Sequence, residues 1–165
     1  MKIRSEYIRN IRDFLKKYNQ WRATLDNLES TAEEWRQELE RARKAAPCHR
    51  ESIAGDGQQE PGAMEAKARC ERIEKEVQRI EGEIESIKRT LVKIDDAIDR
   101  LDNKKKRLVK MNFFEYRTGQ EMAEELGQSE SWVSSTGRKA ICEIAYNFYG
   151  IKAIPPEKRA TFLTW

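Results

Sequence analysis

Apolar residues stand at Ile8, Ile11, Leu15, Tyr18, Trp21, Leu25, Leu28, Ala32, Trp35, Leu39, Ala42 and Ala46. Successive steps alternate between 3 and 4, apart from one extra step of 3 from Tyr18 to Trp21. This is a heptad stripe with a local stammer, and it predicts a long helix over residues 8–46. A second stripe, Ala66, Cys70, Ile73, Val77, Ile80, Ile84, Ile87, Leu91, Ile94, Ile98 and Leu101, keeps the alternation without a break. It predicts a helix over 63–101. Isoleucine at most of these positions lowers helix propensity, so packing against a partner has to offset it.

Between the stripes, residues 47–62 carry Pro and Gly near both limits and have no apolar period, which predicts a loop. The flanking helices would each be about 58 Å long by the 1.5 Å rise. Lys plus Arg against Asp plus Glu number 11 to 8 in residues 1–46, 10 to 13 in 47–101 and 11 to 8 in 102–165. Equal lengths, a connecting loop and opposite net charge favour an antiparallel coiled-coil hairpin within one chain. A parallel homodimer of each stripe with its own copy is disfavoured, because two acidic middle helices would repel. Association of whole hairpins into a four-helix bundle is open, so a homodimer through the coiled coil is one partner the pattern admits.

After Leu101 the pattern changes. Leu108, Val109, Met111, Phe113 and Phe114 predict a short apolar helix behind the cluster Lys104, Lys105, Lys106 and Arg107. Thr118 and Glu121 have the spacing of a capping box and predict a helix over residues 120–126, with Gly127 as its left-handed stop. Ser129 suits the N-cap of a last helix running from Glu130 to about Phe148, with Val133, Gly137, Ala140, Ile141, Ile144 and Phe148 on one face. A small residue at Ala123, glycine at Gly127 and apolar residues at Met122, Leu126 and Val133 meet the needs of a helix-turn-helix. Thr136 stands where an apolar residue is more usual, and Gly137 beside it points to a close approach of backbone instead.

Residues 108–141, LVKMNFFEYRTGQEMAEELGQSESWVSSTGRKAI, resemble region 4 of the sigma-70 family. The long N-terminal part in front of such a module resembles, in architecture, phage and prophage transcriptional regulators of the RinA and ArpU type. The resemblance implies an all-α chain in three parts: the coiled-coil hairpin over 1–101, a sigma region 4-like helix-turn-helix domain over 102–149, and a tail over 150–165. It implies double-stranded DNA at promoters as the partner, with RNA polymerase as a further one. By position, recognition-helix residues are Glu130, Ser131, Ser134, Ser135 and Arg138, with Trp132 at the edge and Lys139 beside them. Arg138 can grip guanine or phosphate, the serines can reach bases or backbone, and Glu130 can accept from cytosine. Lys139 and, more weakly, Lys104, Lys105, Lys106 and Arg107 suit phosphate contacts that position without specifying. Trp132 also suits packing against the preceding helices.

Composition removes other classes. Residues AVILMFWYC make up 38% and DEKR 37%, too charged for one large core, and no apolar run approaches a membrane span. Without a signal-peptide pattern, and with the three scattered cysteines Cys48, Cys70 and Cys142, a reducing cytoplasmic setting is expected. Cys48 and His49 are adjacent, but a structural zinc site needs four ligands in paired spacings, so no metal and no other cofactor is expected. Neither a glycine-rich phosphate loop nor a paired nucleophile and base is present, so no enzyme is expected. The rival reading is a structural adaptor whose coiled coil is the working part and whose terminal domain binds protein. Phe162, Leu163 and Trp165 make the tail too apolar to stand idle; whether it folds back or binds a partner is open.

Overall fold

A computed structural model describes residues 2–45 and 61–159. The chain is all-helical, with no strand among the described residues, and begins with a long helix. The helices are α1 (Ser5–Ala45), α2 (Pro61–Asp99), α3 (Asn103–Phe113), α4 (Gly119–Leu126), α5 (Glu130–Tyr149) and α6 (Pro156–Arg159), with a 3-10 turn over Gly150–Ala153.

The two heptad stripes appear as α1 and α2, of 41 and 39 residues. Helix α1 starts three residues earlier than its stripe. Helix α2 begins at Pro61, so the expected loop ends sooner than its Pro and Gly suggested. Proline fits the first turn of a helix, where its missing N–H would have had no partner. The rest of that loop, with Cys48 and His49, lies outside the described residues, as do Phe162, Leu163 and Trp165.

By contact, the chain divides into Ala23–Lys88 and a second unit made of Met1–Arg22 with Arg89–Trp165. This division falls inside both long helices. In Ala23–Lys88, Ala32 packs with Ile80 and Ile84, flanked by Leu25, Leu28 and Trp35. Leu39 packs with Ile73 and Val77, flanked by Trp35, Ala42 and Cys70. Three cross-helix ion pairs follow the same register: Arg43 to Glu74 at 2.5 Å, Arg36 to Glu81 at 2.6 Å and Lys88 to Glu29 at 2.5 Å. Partners fall by seven along α1 as they rise by seven along α2. Arg69 and Glu38 form a further pair.

In the second unit, the ends of α1 and α2 pack with the short helices. Ile11, Leu15, Ile94, Leu108, Met111, Ile144 and Ile154 are all at most 2% exposed. Aromatic rings add directional contacts, Tyr7 against Tyr149 at 4.5 Å, Phe14 against Phe148 at 5.7 Å and Tyr18 stacked on Phe114 at 4.4 Å. The Tyr18 hydroxyl donates to Asp95 Oδ1 at 2.6 Å, and Asn147 Nδ2 donates to the Ala97 carbonyl at 3.1 Å.

The first part of the expected tail is packed structure. Gly150 ends α5 with φ 61, a conformation that favours glycine, and the chain re-enters the core with Ala153 and Ile154 fully buried. The Arg4 N–H donates to the Ala153 carbonyl at 2.9 Å.

Candidate nucleic-acid interface

Local chemistry sets the ends of α4 and α5. At Thr118 the capping box is complete: the Glu121 N–H donates to Thr118 Oγ1 at 3.3 Å, and the Thr118 N–H donates to Glu121 Oε2 at 2.7 Å. The Thr118 N–H first, and then the Thr118 hydroxyl donating to the same oxygen at 3.0 Å, hold the Glu121 carboxyl below the usual carboxylate range. Gly127 stops α4 in the left-handed region with φ 60, while the Gln128 N–H reaches back to the Ala123 carbonyl at 2.9 Å. Two residues later, Ser129 Oγ accepts from the Trp132 N–H at 3.2 Å and starts α5. A turn of three residues thus separates two capped helices.

A small apolar cluster fixes the angle between them. Leu108, Met111, Met122, Ala123 and Val133 are buried together, with Leu126 and Trp132 half-buried against them. A Cβ added at Gly137 would lie 3.3 Å from Leu108 Cδ2, so α3 and α5 approach closely there. A side chain at residue 137 would need Leu108 to shift by a few tenths of an ångström.

With Val133, Ala140, Ile141 and Ile144 buried, the opposite side of α5 is left to solvent. Ser131, Ser134, Ser135 and Arg138 are all exposed, spaced i, i+3, i+4 and i+7, and so share one helix face. Glu130 and Lys139 are exposed as well. Ser135 Oγ donates to the Trp132 carbonyl at 3.1 Å, which leaves its oxygen free to accept. Trp132 belongs to the packing of the cluster, in keeping with its position at the edge of the face.

The expected phosphate-gripping cluster on α3 has a different environment. Lys105 Nζ lies 2.7 Å from Glu143 Oε1 and 2.9 Å from Asp102 Oδ2, and these partners, Glu143 first, raise its pKa. Lys106 pairs with Asp99 at 2.9 Å and holds that carboxyl below its ordinary range. Arg107 pairs with Glu115 and Glu125, each at 2.6 Å. Of the four, only Lys104 keeps a side chain without an ionic partner among the described residues.

Beside α5 runs an open groove of about 420 Å³. Buried Leu108, Val109, Met122 and Ile141 line it, together with exposed Glu130, Ser134 and Arg138 and, from the beginning of α1, Arg12. Arg12 was not among the residues expected from sequence. Its signal is local and visible: Arg9, Arg12 and Lys16 are exposed on α1, with Arg12 on the flank of the stripe that buries Ile11 and Leu15. What sequence does not contain is its place beside α5.

No family model, curated protein or solved structure matches this chain. Among the described residues, no helix is long and apolar enough to cross a membrane.

Proposed function

We propose that this chain is a sequence-specific DNA-binding transcription regulator. In this reading, α4 and α5 are a helix-turn-helix of the sigma region 4 kind, and α5 is its recognition helix. The observation that carries the proposal is the exposed face of Ser131, Ser134, Ser135 and Arg138 on a helix whose other side is locked by the Leu108 cluster. Short hydroxyls let the helix approach base edges, and one long cation reaches the backbone from its later turn. The sigma-like resemblance extends the proposal to promoters, to RNA polymerase as a partner and to a phage or prophage origin. Residues 1–101 are read as the antiparallel coiled-coil hairpin, supported within Ala23–Lys88 by the heptad-spaced ion pairs from Glu29 to Arg43.

Selection of bound sequences from a random duplex pool tests the reading, followed by binding of variants to the selected site. Arg138→Ala should weaken binding to every sequence and reduce the salt slope by about one unit, the signature of a phosphate contact. Replacing Ser131, Ser134 and Ser135 together by Ala should reduce discrimination among sequences. Unchanged binding in both variants would remove α5 from DNA recognition. The same ion-pair ladder favours one second reading, an adaptor that works through its paired helices and binds protein with its terminal domain. Retention of duplex DNA by the parent chain, lost at high salt, separates the two.

A further inference from the structure

The cations of the second unit fall into two sets. Lys105, Lys106 and Arg107 spend their charge on Glu143, Asp99, Glu115 and Glu125. Arg12 and Arg138 are exposed, line the same groove, and have no carboxylate or hydrogen-bond partner among the described residues. A cation that is already paired has to lose its carboxylate before it meets a phosphate. A free one only exchanges water and counterions.

Charge along α1 points the same way. Residues 1–22 contain seven Lys and Arg against two Asp and Glu, the most basic stretch of the helix. Ile11 and Leu15 are buried, while Arg9, Arg12 and Lys16 are exposed, Arg12 on the flank of the buried stripe. Along α5 the groove runs from Glu130 to Ile141, and Glu130 lies about 12 Å of helix before Arg138. The Glu130 carboxylate makes that end unfavourable for phosphate. Arg12 lines the same groove as Arg138, brought there from a different helix.

We propose that Arg12 is a second backbone-gripping residue, holding DNA phosphate from the groove that Arg138 also lines, so that the start of α1 is part of the DNA-binding surface. The proposal rests on the reading of α5 as a recognition helix. Arg12 stands on a different helix from the serine face, so it adds affinity and orientation rather than base preference.

The test uses the full chain and a mixed-sequence 30-base-pair duplex, with anisotropy titrations at several salt concentrations. Arg12→Gln keeps the side-chain stem and removes the charge. It should weaken binding roughly threefold to tenfold, with a salt slope shallower by about one unit, and Arg12→Lys should restore the slope. Its thermal midpoint should match the parent, because Arg12 is exposed and unbonded. Parent-like binding by Arg12→Gln, beside weakened binding by Arg138→Ala, would overturn the proposal and leave the recognition helix standing. A lowered midpoint with an unchanged slope would make Arg12 structural and overturn it too. A parent that ignores the duplex but binds polyglutamate through Arg12 would overturn both readings in favour of an acidic protein partner.

Discussion

Residues 23–88 and the helices around α5 use the same charged side chains to opposite ends. In the first region, arginine and lysine meet glutamate across two helices at heptad intervals, and each cross-helix pair marks the register of the apolar stripe beneath it. Around α5, charge sorts by position instead: on α3, Lys105, Lys106 and Arg107 are tied to carboxylates, while Arg138 on α5 and Arg12 near the start of α1 have no such partner among the described residues. Lysine density along a sequence therefore does not say which cations are free to meet a phosphate. That depends on pairing, which is a property of the folded chain.

The largest way to break this comparison is to empty each core in turn. Ile80 and Ile144 are 1% and 0% exposed, and Ile→Ala at either site should cost about 2 to 5 kcal/mol in urea denaturation. Only Ile144→Ala should also weaken DNA retention, because Ile144 anchors the buried side of α5. Equal damage to DNA retention from Ile80→Ala would mean that the paired helices contribute to the same surface.

Overpacking comes next. Gly137→Leu adds a side chain where even a Cβ would meet Leu108 at 3.3 Å. The expected cost is about 1 to 3 kcal/mol from strain, against a helix-propensity gain of about 1 kcal/mol. A variant more stable than the parent would show that Leu108 can move aside and that α3 and α5 are not locked at this crossing.

A smaller effect concerns pH. Burial first, and then the hydrogen bond to Asp95, push Tyr18 up to about 12. The folded chain thus holds this proton more tightly than the unfolded chain does. Its contribution is complete below about pH 10 and is lost as pH rises from there toward 12. Stability of the parent should fall more steeply across that window than stability of Tyr18→Phe, measured by chemical denaturation at each pH. Parallel curves would mean that the Tyr18 proton is not held.

Much of the local structure was legible in sequence, because its causes are local. Heptad steps of 3 and 4 specify α1 and α2; Thr118 with Glu121, then Gly127 and Ser129, mark the ends of α4 and α5 within a residue. Gly137 was legible as a close approach because a helix interior otherwise disfavours glycine. What escaped depends on residues distant in the chain. Tyr18 bonds Asp95, and Asn19 Nδ2 donates to the Phe114 carbonyl at 3.2 Å, so the beginning of α1 and the end of α2 belong with α3 to α5. Tyr116 adopts φ 55 and is 66% exposed, with no turn residue in the sequence to announce it. In the candidate site, the shared face of the three serines and Arg138 follows from helix periodicity alone. The neutralisation of Lys105 to Arg107, and the presence of Arg12, do not.

The smallest expected effect is also the most direct comparison of paired and free charge. Lys106→Gln removes an ammonium 2.9 Å from Asp99, and Arg107→Gln removes a guanidinium held by Glu115 and Glu125. If pairing decides, each should leave affinity for a mixed-sequence duplex within about a factor of two and the salt slope unchanged. Lys104→Gln, which removes a free ammonium from the same run, should cost more than either. The released carboxylates work against that expectation, since Asp99, or Glu115 and Glu125, would be left unneutralised and would repel any phosphate nearby. Double variants that also remove the partner, Lys106→Gln with Asp99→Asn, isolate the cation from this repulsion. Should Lys106→Gln with Asp99→Asn lose as much affinity and slope as Arg138→Ala, the ion pair must open on DNA, and the division between tied and free cations would not predict the binding surface.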